Sequence, residues 1–392
     1  MESFQNNEFA DLPQALVEEM LQSSNQFAKQ TTEILTKINT DKKQLHDILE
    51  QKKMVIHESA ILKSNQDPTT AGTDGSYCVD RLMASNYVAM GAVAVEGLTP
   101  PKLEEPIWPR PRHFVKILPL PHDDSCIVWA QAIMFSMEMQ LAGLSPHDVV
   151  LMDGSISTHI ISINKALNFD SPKELVSYFI DGDKSTKQNQ EAKFGPLKKT
   201  LEAYKQILSA ERTDKISVCL PKYSKRNEIC EEAGLKEYDD KGMLTLVLKP
   251  GEFTKPINVV IGKEKGKHLH SKIHELEPDL AKDIENLMDK TCVFYYKPYE
   301  HFPALRIEMG RAIAENNSRL AILLEAIKRQ SGAPGMFEPF PIFMADKMVK
   351  HLSTALPAIK KQSVMEISKH WIGDVSDVYL ATHSYRTEGF RS

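Results

Sequence analysis

The sequence predicts an α/β protein, a sheet covered by helices, preceded by a helical extension. Two observations support this class. Beyond residue 65, short β-prone apolar runs alternate with segments of helical periodicity, and some strands follow one another like hairpin partners. Within residues 10–62, apolar side chains recur three, four or seven positions apart, as on an amphipathic helix or a coiled-coil seam. We therefore expect an N-terminal helical region over residues 1–64 and an α/β domain over residues 65–392.

Composition and charge are those of a soluble globular protein. The 392 residues are 42% hydrophobic and 26% charged, with a net charge of −5; nucleic acid stays open as a partner, because a basic groove can lie on an acidic surface. The five cysteines form no CxxC pair, so we expect free thiols in a reducing cytoplasm. We expect no signal peptide and no membrane partner, since no apolar run approaches the roughly 20 residues that span a bilayer.

The N-terminal helical pattern has two interpretations. Leu16, Met20 and Phe27 continue toward Leu45 and Leu49 along one face. This face could pack against the main domain, or it could pair with a second copy or another protein. The sequence does not decide between these interpretations.

The α/β domain then follows in order. Residues 86–98 predict a strand, and an extended proline-rich segment comes after it. Residues 124–143 predict a buried helix, and residues 149–151 predict a short strand that ends at Asp153. Further strands are expected over Ile216–Leu220 and in the runs GMLTLVL, INVVIG and CVFYYKPY. Two long helices, beginning at RIEMG and at FPIFMADK, complete the pattern.

Two copies of Asp-Gly-Ser indicate a metal site. The segment AGTDGSYCVD places Asp74 before Gly-Ser, and VVLMDGSIST places Asp153 in the same way. Either copy alone is most simply a turn. If the two strands are neighbours, however, the carboxylates face each other and repel unless a divalent cation lies between them. Each turn would then hold its Asp at a strand edge for that cation.

The predicted buried helix adds a third acid. Glu138 is the lone carboxylate in the apolar stretch from Cys126 to Leu141. Such a Glu is either exposed at the flank of the helix or paired in the interior, and its place 15 residues before Asp153 favours the functional interpretation. A helix Glu between two strand Asp residues is typical of a two-metal nuclease centre.

At these residues the chain resembles the NurA nucleases, whose core is similar to the RNase H and PIWI folds. Four segments carry the resemblance: AGTDGS, the acid-bearing helix followed by VVLMDGS, the strand and basic loop ISVCLPKYSKR, and CVFYYKPYEHFPALRIEMG with its Arg-Ile-Glu element. The resemblance implies an RNase H-like (PIWI-like) mixed sheet flanked by helices, with a NurA-like nuclease domain over residues 65–392.

The resemblance also implies an activity and partners. It implies an Mn²⁺- or Mg²⁺-dependent DNA nuclease that acts on linear single- or double-stranded ends, as a homodimer beside a HerA-type hexameric ATPase, in DNA repair or phage defence. The implied metal ligands are Asp74, Glu138, Asp153 and, where the family often has His, Asp346; His351 is a weaker candidate. The chain has no P-loop motif, so we expect no ATP hydrolysis by a P-loop.

Basic and aromatic side chains complete the candidate site. Lys222 could steady the phosphate during catalysis, although a solvated loop lysine is an equal alternative. The candidates for DNA contact mix cations with aromatic rings, a combination that suits phosphates and unpaired bases: Lys222, Lys225, Arg226, Tyr296, Lys297 and Arg306. A core strand explains the tyrosines equally well, and Glu308 could pair with an arginine.

The expected mechanism needs no protein nucleophile. Two divalent cations flank the scissile phosphate; one lowers the pKa of the attacking water and the other stabilises the leaving oxygen. The alternative is a non-catalytic DNA-binding or assembly subunit that keeps the acids as structure. The joint presence of Asp74, Glu138 and Asp153 argues for the nuclease.

Overall fold

One mixed sheet organises the computed structural model, which describes residues 12–61, 67–184, 193–222, 226–236, 238–259 and 269–384, apart from the side chains of Ile34 and Ile38. Its strands are β1 Val55–His57, β2 Thr70–Arg81, β3 Asn86–Glu96, β4 Arg112–Leu120, β5 Val149–Asp153, β6 Ile216–Leu220, β7 Glu252–Thr254, β8 Ile257–Val259, β9 Thr291–Tyr296 and β10 Leu305–Gly310. Its helices are α1 Gln14–Gln51, α2 Ser125–Leu144, α3 Ile156–Ala166, α4 Lys173–Asp181, α5 Leu197–Ser209, α6 Glu228–Ala233, α7 Asp240–Val247, α8 Ser271–Leu276, α9 Pro278–Met288, α10 Arg311–Ala314, α11 Asn317–Gln330, α12 Phe340–His370 and α13 Val375–Thr382. The predicted α/β class, with a mixed sheet flanked by helices, is confirmed.

The centre of the sheet is parallel and its flanks are antiparallel. The strand order is β1-β7-β9-β10-β6-β5-β2-β3-β4, with β8 paired to β9. Strands β2, β5 and β6 run in parallel, and their register aligns Thr73 with Met152 and Asp153 with Leu220. Asp74 therefore lies one residue beyond a paired position on β2, beside the end of β5. Ligands of open α/β sheets commonly bind at such carboxyl ends of parallel strands.

Two helices approach β2 closely from opposite directions. A Cβ atom on Gly75 would lie 2.6 Å from Cγ of Met134 on α2, and a Cβ atom on Gly72 would lie 2.5 Å from the backbone carbon of Pro341 on α12. Only glycine at these positions lets both helices pack directly on the strand. The close packing brings side chains of α2 and α12 to the same end of β2.

The interior has apolar layers on both sides of the sheet. One cluster combines β3 and β5 with α2, α3, α5 and α9 around Trp129, and the other combines β5, β6, β9 and β10 with α11 around Phe294. The glutamate-bearing α2 is almost entirely enclosed by the first cluster. By length and composition α2 could cross a membrane, contrary to the expected absence of such a run, but 67% of its apolar window is buried inside the protein, as in a soluble core helix.

Three local predictions were wrong. The first Asp-Gly-Ser is not a turn: Asp74, Gly75 and Ser76 pair with β3 inside the continuous strand β2. The run GMLTLVL lies in α7 and not in a strand, because Asp239 accepts a hydrogen bond from Gly242 and starts a helix there. The segment RIEMG is strand β10 and not the beginning of a long helix, since it pairs with β9 along its length.

Within the described part of the chain, the buried side chains of helix α1 lie near its C-terminal end. Leu45 and Leu49 are buried, whereas Leu16, Met20 and Phe27 are exposed, Phe27 by 69%. Beyond the helix, β1 pairs with β7 and so adds an edge strand to the sheet. The first half of the apolar face of α1 therefore does not pack against the described main domain, while the boundary at residue 64 stays a prediction.

Candidate metal centre

Three acidic side chains from distant parts of the chain line one open cleft. Asp74 comes from β2, Glu138 from α2 and Asp153 from the end of β5. The cleft has a volume of about 360 Å³, and its walls include Tyr77 and Phe135. The structure therefore brings together the three acids that the sequence singled out.

Asp74 is held in a setting that disfavours its charge. It is 7% exposed, and its Oδ1 accepts a hydrogen bond from the backbone N–H of Gly75 at 2.7 Å. Burial, followed by the negative charges of Glu138 and Asp153, raises the pKa of Asp74 to about 8, although Lys222 and the Gly75 N–H act in the opposite direction. A carboxyl group with this pKa needs a cation nearby to ionise fully at neutral pH.

Glu138 is buried beside a histidine. Its side chain is 2% exposed, its Oε1 has no hydrogen-bond partner, and its Oε2 lies 3.6 Å from Nε2 of His159. His159 Nδ1 lies 2.8 Å from the carbonyl oxygen of Ser155, and because a carbonyl only accepts, this nitrogen carries a proton. Burial raises the pKa of Glu138 against the opposing charge of His159. An unpartnered buried carboxylate oxygen in a cleft is the feature that a metal ligand would show before its ion is bound.

The mouth of the cleft holds a lysine surrounded by acids. Nζ of Lys222 lies 3.2 Å from Oδ2 of Asp153, 3.1 Å from Oε2 of Glu338 and 3.6 Å from Oδ1 of Asp346. Burial alone would lower the pKa of Lys222, but the charges of Asp153 and Glu338 outweigh it and raise that pKa. Asp346, on α12, also accepts a hydrogen bond from Lys350 at 2.7 Å. Burial would raise its pKa, but Lys350 and Lys222 together lower it.

The cleft acids are not spaced as ligands of one preformed ion site. Among the residues that the structure describes, the group of at least three ligand atoms lying within 4.8 Å of one another is His46, Asp47 and Glu50 on α1. There His46 already contacts Glu252 at 3.0 Å, which explains its position without an ion. The wider spacing of Asp74, Glu138 and Asp153 is compatible with ligands distributed over two ions about 3.5–4 Å apart.

The Asp-Gly-Ser after β5 is a true turn, unlike its counterpart in β2. Gly154 has φ +80°, in the left-handed region, and Asp153 Oδ1 accepts a hydrogen bond from its N–H at 2.9 Å. Ser155 then caps α3 by accepting from the N–H of Ser157. Glu308 accepts hydrogen bonds from both Ser155 Oγ and the N–H of Ile156, so it supports the helix that follows Asp153.

The predicted DNA-contacting surface around residues 296–306 is not formed, because its side chains are buried. Tyr296 is 0% exposed and donates to Glu58, and Lys297 is buried and donates to the carbonyl oxygen of Thr245. Arg306 is 2% exposed and contacts three partners within 3.1 Å: Glu228, Glu308 and the hydroxyl of Tyr295. These residues complete the interior of the sheet, as the alternative interpretation of a core strand predicted.

The remaining candidates differ in what the structure says of them. Arg226 is half-exposed and lies 3.9 Å from Glu228, so it stays a candidate for DNA contact. Lys225 lies outside the described residues. His351 is exposed on α12 and is not among the cleft-lining residues described above.

Sequence reasoning missed two residues of the centre, His159 and Glu338. His159 lies on α3 only six residues after Asp153, so its proximity to the site was the available signal. No sequence pattern singled out Glu338, which lies two residues before α12.

Comparisons with known proteins identify the family and the fold. The model of the family described as the NurA domain matches residues 68–351. The crystal structure of the NurA nuclease from Sulfolobus solfataricus is 17% identical, with a TM-score of 0.57, over 92% of this chain and 99% of that one. A crystal structure of NurA bound to dAMP and manganese is 14% identical, with a TM-score of 0.46, over 82% of this chain and 93% of the other. No curated protein sequence is significantly similar. The shared fold confirms the predicted RNase H-like sheet.

Proposed function

Since this chain belongs to the NurA family, we propose that it is a metal-dependent DNA nuclease that hydrolyses phosphodiester bonds at DNA ends. Family membership supports a nuclease. The observation that carries the proposal for this chain is the cleft in which Asp74, Glu138 and Asp153 converge, with one buried oxygen of Glu138 unpartnered. Burying Asp74 and Glu138 beside the partly exposed Asp153 is costly unless cations compensate their charges.

The donor set fits Mn²⁺ or Mg²⁺, which both prefer carboxylate oxygens. Asp74, Glu138, Asp153 and Asp346 would hold the metal. When bound, two such cations supply an activated water and stabilise the leaving oxygen. The chain itself contributes the rest: Lys222, at the mouth of the cleft, offers its ammonium to the phosphate, and His159 holds Glu138 in place.

A partner would supply the movement of DNA. The sequence has no P-loop motif, so the proposal includes a HerA-type hexameric ATPase that feeds DNA ends to the nuclease in the cytoplasm, in DNA repair or phage defence. We also propose that the chain acts as a homodimer. The exposed apolar face of α1 supports association with a second copy.

The decisive experiment is cleavage of linear DNA by the purified protein. We expect cleavage with Mn²⁺ and its loss in EDTA. Asp153→Asn should lower the rate by about 100-fold or more, since even groups behind the ligands of a metal commonly contribute 10–100-fold. Asp283→Asn is the matched control, because Asp283 is an exposed carboxylate that pairs with Lys205 away from the cleft.

The same experiment tests the alternative function. DNA binding without cleavage in any divalent metal would replace the nuclease by a non-catalytic DNA-binding or assembly subunit. If Asp153→Asn cleaves DNA at the wild-type rate, the cleft is not the active site.

A further inference from the structure

The ammonium of Lys222 contacts one carboxylate that the proposed mechanism does not use. Of its three acidic neighbours, Asp153 and Asp346 are proposed metal ligands, whereas Glu338 is not. Glu338 is nevertheless the nearest of the three, at 3.1 Å. It precedes α12 in a segment that ends at Pro339, the N-cap of the helix carrying Asp346.

Asp153 and Asp346 accept further hydrogen bonds, whereas none of the described residues donates a further hydrogen bond to Glu338. Asp153 also accepts a hydrogen bond from Gly154, and Asp346 accepts one from Lys350. The Oε2 atom of Glu338 is buried and forms no hydrogen bond of good geometry, so its charge is balanced by the nearby Lys222 ammonium. Lys222 is thus the ion-pair partner of Glu338, and Lys241 lies near enough for its charge to interact with the same carboxylate.

This arrangement matters because Lys222 competes with a bound metal. A divalent cation held by Asp153 and Asp346 would draw on the same carboxylates that attract the ammonium, and the two positive charges would repel each other. Among the described residues, Glu338 would then be the acid that keeps Lys222 at the cleft. Without it, the flexible lysine side chain would turn toward solvent, where an ammonium is strongly hydrated.

We propose that Glu338 is a positioning residue that holds the ammonium of Lys222 at the mouth of the cleft while metal occupies the acids. The inference rests on the proposed nuclease function. It assigns Glu338 no contact with DNA or with the reacting atoms; its effect passes through Lys222.

The first test is a double-mutant cycle on kcat with saturating Mn²⁺ and linear DNA. Glu338→Gln should lower kcat about tenfold in the wild-type background and less than about twofold in Lys222→Met, because residues that act as a unit are not additive. Glu338→Asp should restore part of the rate. Equal losses in both backgrounds, or no loss at all, would overturn the proposal.

A matched control comes from α12, the helix that follows Glu338. Glu366 pairs with Lys369 at 2.7 Å and is exposed, so Glu366→Gln removes a comparable acid–lysine contact and should leave kcat unchanged. Melting curves in EDTA should show all variants folded.

The second test does not depend on activity. In crystals loaded with Mn²⁺, Nζ of Lys222 should stay within about 4 Å of the Glu338 carboxylate in the wild type, the usual limit for an ion pair. It should leave the cleft in Glu338→Gln. An unchanged lysine in that variant would overturn the proposal. Failure of the wild type to cleave DNA would instead refute the nuclease, while these crystals would still decide the role of Glu338.

Discussion

At the scale of single residues, burial decides which charges the cleft can carry. Asp74 and Glu138 are both buried, and both have raised pKa values with burial as the main cause. Asp153 is more exposed and lies between them and Lys222. The centre thus has a buried side, where negative charge is unfavourable, and a more exposed side, where the Lys222 ammonium already supplies a positive charge.

Asp74 should make the metal-free protein less stable as pH rises. Its pKa is about 8 when folded and near 3.8 when unfolded, so between these values the folded state binds more protons and stability falls with pH, levelling above pH 8. In EDTA, the free energy of unfolding should drop between pH 5 and 8 by on the order of 3 kcal/mol more in the wild type than in Asp74→Asn. Urea titrations at several pH values measure this. Parallel curves for the two proteins would show that Asp74 ionises normally.

Arg306 should prove structural. Its guanidinium lies between Glu228 and Glu308, and removal of one partner of a buried ion pair typically costs about 3–5 kcal/mol. Arg306→Gln should lose stability of that order, with no change in the salt dependence of DNA binding. Arg226 is half-exposed, so Arg226→Gln should lower the free energy of unfolding by less than about 1 kcal/mol. A stable Arg306→Gln with a shallower salt dependence would instead restore the original prediction of DNA contact.

At the scale of elements, the sequence predicted strands best where the chain pattern was uniformly apolar. The strands β3, β5 and β6 were found where they were predicted, because buried parallel or central strands read as short apolar runs. GMLTLVL reads the same way yet forms α7, since Asp239 caps a helix there and the apolar side chains of this helix pack with Leu45 and Leu49 of the distant α1. Short apolar runs alone do not separate strand from helix.

In the candidate site, too, the sequence revealed local patterns but not contacts between distant residues. Asp74 and Asp153 were singled out because each precedes Gly-Ser in a repeated motif, and Glu138 because it is the lone carboxylate in an apolar helix, and both patterns are visible in the sequence. Tyr296 and Arg306 looked equally functional, but only the fold reveals that Glu58 and Glu228 cover them. Their partners lie 238 and 78 residues away, so no local pattern could have excluded them.

Gly72 should tolerate a methyl group less well than Gly75. A Cβ on Gly72 would meet the rigid backbone at the start of α12, whereas one on Gly75 would meet the flexible side chain of Met134. We expect Gly72→Ala to cost about 3 kcal/mol and Gly75→Ala about 1 kcal/mol, as overpacking does where neighbours cannot move. Urea denaturation measures both. Equal losses of stability in the two variants would mean that α12 can shift on the sheet. Asp346, which lies on α12, would then move with it.

At the scale of the whole molecule, α1 is the least integrated part of the described chain. Removal of residues 1–40 should cost less than about 1 kcal/mol, because Leu16, Met20 and Phe27 are exposed. Leu49→Ala, at the buried end of the same helix, should cost about 2–5 kcal/mol.

The same truncation tests self-association. Light scattering should give the mass of a dimer for the full chain and of a monomer for the truncated one. If both have the same mass, α1 does not join two copies, and its exposed face must serve a different protein.

The length of α1 also fixes a distance. Lys37 lies over the ring of Tyr238, and about 23 residues separate the start of the helix at Gln14 from this contact with the body, which corresponds to a rod of about 35 Å. A partner that binds the N-terminal end of α1 is held at that distance from the body. A rigid helix, unlike a flexible linker, keeps this distance constant. A rod of that length equals the rise of about ten base pairs of DNA, so a partner bound at the start of α1 lies that far from the place where the helix joins the body.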